Sequence, residues 1–198
     1  MATPQFLTVG GSDTFDLQAI KPTGNDTSDN IYIQTLDNAG YTVATYGWND
    51  WAADVPCWVD DDYAPINDVS FAPGQGLWIQ GLNANQGIQT SGCIGKNDIS
   101  VVLQAGYTAV GNPFPVSLSL QDIIAVGDEC SDNVYIQTLD NAGYTVATYS
   151  WNDWAADVPC WVDDDYAPVV GVVFAPGQGL WVQGTSAKQS IIFPAPEL

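Results

Sequence analysis

The chain has 198 residues, 46% hydrophobic, 12% aromatic and only 13% charged, which is long enough for one large β domain or two of about 100 residues. Its cations are three lysines, Lys21, Lys96 and Lys188, against 23 acidic residues, with no histidine and a formal net charge of −20. That balance excludes nucleic acid and anionic lipid as partners, since both demand clustered Lys or Arg, and no run approaches the roughly 20 apolar residues that would insert in a membrane.

The opening MATPQFLTVG lacks the basic region and apolar stretch of a secretory signal. This fits either a mature chain whose leader is gone or a component assembled without one. DLQAI (Asp16 to Ile20) and its partner SLSLQDII (Ser117 to Ile124) predict a helical turn or two and no longer helix. In NIYIQTL (Asn30 to Leu36), Ile31, Ile33 and Thr35 share one face and Tyr32, Gln34 and Leu36 the other, the period of 2 of a strand. DNAG (Asp37 to Gly40) supplies a turn before YTVATY, predicting a hairpin. In VSFAPGQGLWIQG, Pro73, Gly74 and Gly76 interrupt one strand before the next resumes at Leu77. SGCIGKNDIS (Ser91 to Ser100) is small and polar, and a boundary is expected there, giving β units at 1–95 and 96–198.

The second unit repeats the first. Ser28 to Gly81 and Ser131 to Gly184 are identical at 47 of 54 positions, at an offset of 103 residues. Such closeness reflects a tandem duplication. The short strands and frequent turns predict an all-β protein of two near-identical β-sandwich or open-barrel units in pseudo-symmetric arrangement.

From GNPFPVSLSLQDI (Gly111 to Ile123) through DNVYIQTLD to FAPGQGLWVQG (Phe174 to Gly184), the second unit resembles a β module of secreted and surface-anchored bacterial proteins. The first unit keeps PGQG but has GGSDTF (Gly10 to Phe15) near where GNPFP would fall. The resemblance implies a non-catalytic appendage and supplies no active-site residues.

The residue inventory points the same way. Acid–base catalysis needs a group tuned near neutrality and a positioned partner; histidine is absent and the lysines are scattered. Within WVDDDYAP, the outer aspartates of an extended triplet point the same way, so Asp60 with Asp62, and Asp163 with Asp165, would offer oxygens to one calcium ion; the competing reading is a solvated acidic loop. All eight tryptophans lie in the repeat. Trp48, Asn49, Asp50 and Trp51, with Trp151, Asn152, Asp153 and Trp154, are the expected carbohydrate or partner contacts, flat rings for stacking beside hydrogen-bonding groups; the competing reading places the rings in the cores. Four cysteines allow three pairings. Cys57–Cys93 with Cys130–Cys160 uses all four and is the expected one.

The function expected is non-enzymatic: a structural or adhesive protein of a cell surface, filament or particle, self-assembling or gripping a surface partner. The alternatives are a lectin-like protein that binds polysaccharide through its tryptophans, with or without calcium, and a virion decoration or tail component.

Overall fold

The computed structural model describes residues 14–83, 85–90, 96–140 and 144–196, together with the backbone of 5–8. The protein is all-β. In the first unit the strands are β1 (Gln5–Thr8), β2 (Phe15–Asp16), β3 (Lys21–Thr23), β4 (Ile31–Leu36), β5 (Thr42–Asn49), β6 (Cys57–Val59), β7 (Ser70–Phe71), β8 (Gly76–Gly81) and β9 (Gly87–Gln89). In the second they are β10 (Ile99–Val102), β11 (Gly106–Gly111), β12 (Leu118–Ser119), β13 (Ile124–Gly127), β14 (Tyr135–Leu139), β15 (Thr145–Asn152), β16 (Cys160–Val162), β17 (Val173–Phe174), β18 (Gly179–Gly184) and β19 (Gln189–Phe193). The expected helical turns are single 3-10 turns, Leu17–Ala19 and Leu120–Asp122. No helix among the described residues is long and apolar enough to cross a membrane.

Each unit is organised by an open, antiparallel five-stranded sheet, ordered β1-β8-β4-β5-β6 in the first and β11-β18-β14-β15-β16 in the second. Shorter ladders, β2 with β7 and β3 with β9, recur as β12 with β17 and as β13 with β19, the last extended by β10. Both the hairpin across DNAG and the break at Pro73 to Gly76 form as the alternation and turn residues predict, with Gly74 at φ +80°. The expected unit boundary falls largely outside the described residues, since 91–95 are not among them; by Ile99 the chain is paired to β19.

Alternation sets the cores. Ile31 and Ile33 of β4 and Leu77 and Ile79 of β8 turn inward onto Phe15, Leu17, Ile20 and Phe71 of the short ladder and turn. The second core repeats this with Val134, Ile136, Leu180 and Val182 against Leu118, Leu120, Ile123 and Phe174. At the centre of each lies a fully buried tryptophan, Trp58 or Trp161, whose indole N–H donates to the carbonyl of Ile20 (2.8 Å) or Ile123 (2.7 Å). Gln18 binds the same strand through its amide, donating to the carbonyls of Trp58 and Ile66 and accepting from the Trp58 N–H; Gln121 does likewise in unit two. A buried indole and a half-buried amide are each costly to leave unpaired. These bonds therefore select one register for the short helical turn against the sheet.

In GNPFP the work falls to Asn112. Buried, it donates to the carbonyls of Val116 and Phe174 and accepts from the Phe114 N–H, closing the loop after β11 over the core.

The two units meet where β8 passes β11. Gln75 and Val110 form an antiparallel bridge, the Tyr107 N–H donates to the Asn38 carbonyl at 2.8 Å, and the Asn38 amide donates to the Ala105 carbonyl at 3.0 Å. Gly76 permits this approach: a Cβ there would sit 2.7 Å from backbone atoms of Ala109 and Val110.

Candidate functional site: two exposed tryptophan–tyrosine platforms

WNDW divides between the interior and the surface. β5 ends at Asn49, and its last two residues pair with β6 as Trp48↔Trp58 and Asn49↔Cys57. Trp48 is turned inward, edge-on to Trp58 at 5.4 Å and 70°, with the Lys21 ammonium 5.1 Å from its ring centroid. Asn49 is fully buried. Its Oδ1 accepts from the N–H groups of Trp51 (2.9 Å) and Ala52 (2.6 Å), and its Nδ2 donates to Asp29 Oδ1 (2.9 Å). The expectation that Trp48 and Asn49, with Trp151 and Asn152, touch a ligand is thus corrected. Burial commits them to shaping the loop.

Trp51 turns outward and is 61% exposed. Its indole N–H donates to Asp29 Oδ2 at 3.1 Å, so one carboxylate holds both the buried amide and the exposed ring. Tyr63 lies against it with centroids 5.0 Å apart and planes inclined by 36°. The second unit builds the same device: Trp154 is 60% exposed, its N–H donates to Asp132 Oδ2 at 3.2 Å, and Tyr166 lies 4.9 Å away at 37°. Asp50 and Asp153 are exposed beside the rings, their N–H groups donating to Ser28 and Ser131 hydroxyls.

The acidic triplet presents the tyrosine. Asp60 Oδ1 accepts from the N–H groups of Asp62 (3.0 Å) and Ala64 (2.9 Å), and the Tyr63 N–H donates to the Asp60 carbonyl at 3.0 Å. This aspartate turn sets Tyr63 at φ +60°, a left-handed conformation unusual for a bulky side chain. Asp163 and Tyr166 (φ +59°) repeat it. Asp60 and Asp163, expected to converge with Asp62 and Asp165 on calcium, each commit one oxygen to their own turn. No group of three or more metal-ligating side chains gathers among the described residues.

Beneath the platform, the Tyr32 hydroxyl donates to the Asp29 carbonyl at 2.7 Å. Burial first, then the charges of Asp29 and Tyr63, raise its pKa above the ordinary phenol value. Asp29 and Tyr63 were missed by sequence reasoning. Their recurrence at Asp132 and Tyr166 is no signal, because nearly everything in the repeat recurs.

The cysteines also depart from expectation. Cys57, Cys130 and Cys160 stand as free thiols, so Cys130–Cys160 is not formed, and Cys93, the expected partner of Cys57, lies outside the described residues. Cys130 is buried at the position that Thr27 takes in unit one. Burial first, then Asp128, raise its pKa and disfavour the thiolate that disulfide formation requires.

No family model matches this chain, and neither a curated protein nor a solved structure shows significant similarity to it.

Proposed function

We propose that this chain is a non-enzymatic adhesive protein of an extracellular or surface assembly, and that it grips its target through the two equivalent aromatic platforms, Trp51 with Tyr63 and Trp154 with Tyr166. The observation that carries the reading is the exposure of these rings together with their fixation. A mobile exposed tryptophan would lose side-chain entropy on binding. Here a carboxylate, a buried asparagine and a left-handed turn hold each ring in place beforehand.

The target best matched is a polysaccharide surface, because flat aromatic faces stack on the apolar faces of sugar rings while Asp50 and Asp153 stand ready to accept from hydroxyls. Two identical platforms on one chain suit a repetitive target, where the second contact forms at high effective concentration. Retention on insoluble neutral polysaccharides tests the proposal. Trp51→Ala and Trp154→Ala should each weaken retention and the double variant should weaken it most, with melting temperature preserved. Full retention by the folded double variant would refute the platforms as the adhesive surface.

A further inference from the structure

The outward faces of the two five-stranded sheets line a cleft of about 480 Å³ at the junction of the units, within the roughly 300–1,000 Å³ of small-molecule sites. The same cross-strand pair enters its lining twice: Gln34 opposite Trp78 on β4 and β8, and Gln137 opposite Trp181 on β14 and β18. Opposed residues on neighbouring antiparallel strands lie side by side on one face. Each indole therefore has a carboxamide at its flank.

The surroundings hold these groups in position. Tyr107 stands edge-on to Trp181 at 5.7 Å and 69°. Gly40, at φ +83°, carries the turn of the first unit's hairpin past that ring, where a Cβ would lie 3.6 Å from Cζ2. The Thr145 hydroxyl donates to Gln137 Oε1 at 3.2 Å. In a chain of net charge −20, no Asp, Glu or Lys lines the cleft among the described residues.

We infer that this cleft is a second binding site, for a neutral oligosaccharide lying across the junction with its sugar rings against Trp78 and Trp181 and its hydroxyls on Gln34 and Gln137. An indole face is apolar and electron-rich, suited to the C–H face of a pyranose, and a carboxamide presents a donor and an acceptor in one plane to neighbouring hydroxyls. A wholly apolar ligand would strip water from two amides without replacing it. An anionic ligand would meet the field of the −20 charge with no lysine in the lining. The inference does not rest on the platforms. The cleft is lined by Thr42 at one end of β5, whereas Asn49, which holds the Trp51 loop, ends that strand, and the two sites share no residue.

Calorimetric and tryptophan-fluorescence titration of the full chain with cellohexaose, xylohexaose and mannohexaose tests it, alongside an oligogalacturonate and a proline-rich decapeptide, and each titration is repeated on W51A/W154A. Saturable binding of at least one neutral hexasaccharide is expected, persisting in W51A/W154A and weakened about tenfold or more in Q34L/Q137L. Leucine keeps the approximate volume of glutamine, and a thermal melt establishes that the variant is folded. W78A and W181A should weaken binding further. Absence of neutral-sugar binding at millimolar concentration would overturn the inference. So would binding lost with W51A/W154A, binding unchanged in folded Q34L/Q137L, or preference for the decapeptide or the galacturonate. The first of these, loss with W51A/W154A, would leave the platforms standing and remove only the cleft.

Discussion

Trp51 and Trp58 occupy one loop and the strand after it, yet one is 61% exposed and the other wholly buried. Trp58→Ala should cost about 3–5 kcal/mol, from lost burial and the cavity left behind; Trp51→Ala should stay below about 1 kcal/mol. Urea denaturation of the two variants checks the contrast. Asn49 is the less obvious structural residue. Replacing it with alanine strands the N–H groups of Trp51 and Ala52 and removes a donor from Asp29, so a loss of about 1–3 kcal/mol is expected. Titration adds a pH signature. Burial raises the phenols of Tyr32 and Tyr46 above 10.0; the folded state thus holds these protons more tightly than the unfolded one. Their contribution is fully present below pH 10 and lost as pH rises through the folded values. Tyr32→Phe should flatten the alkaline limb of a stability curve measured between pH 8 and 11. At Cys130 the same sign makes the thiol slow: iodoacetamide at pH 8 should modify half-buried Cys57 before Cys130, as peptide mapping would reveal.

At the scale of elements, the turn after β6 translates an acidic triplet into a presented tyrosine. Asparagine also accepts through its side-chain oxygen, so Asp60→Asn should preserve the turn and the melting temperature, whereas Asp60→Ala should cost about 1 kcal/mol and loosen Tyr63. Loss of the Trp51–Tyr63 contact would show in near-ultraviolet circular dichroism. Strand β4 was legible from alternation, since Ile31 and Ile33 had to share a face and only one face could be buried, and β5 from the DNAG turn that precedes YTVATY. The triplet was not legible in that way. An extended chain would aim Asp60 and Asp62 together, but the backbone reverses there to close β6, and the first aspartate is used in reversing it.

For the whole molecule, charge imbalance is the dominant long-range term. Twenty-three carboxylates face three lysines, and the pair of Lys188 with Asp128 is well exposed at 3.4 Å, where such contacts contribute little. Sodium chloride should raise the melting temperature by screening, and calcium at matched ionic strength should add nothing that Asp60→Asn removes. A calcium-specific increment abolished by that variant would restore the metal reading. The junction responds to a different probe. Gly76→Ala places a Cβ 2.7 Å from the backbone of β11, so it should destabilise the chain and perturb the fluorescence of Trp78 and Trp181 together.

Sequence by itself determined the all-β class, the hairpin, the broken strand at Pro73 to Gly76 and the repeat, because alternation, turn residues and self-similarity are local signals carried by neighbouring positions. It could name WNDW as special without saying which tryptophan faces water. Two rings three residues apart are assigned opposite roles by partners outside WNDW: Trp58 on the neighbouring strand closes over Trp48, while Asp29, 22 residues away, holds Trp51 outside. The cleft is equally non-local, since Trp78 and Trp181 belong to different units and share a space only because Gly76 lets β8 approach β11. Local pattern specifies which face of a strand is apolar. Only packing between distant segments decides what that face, or its opposite, will meet.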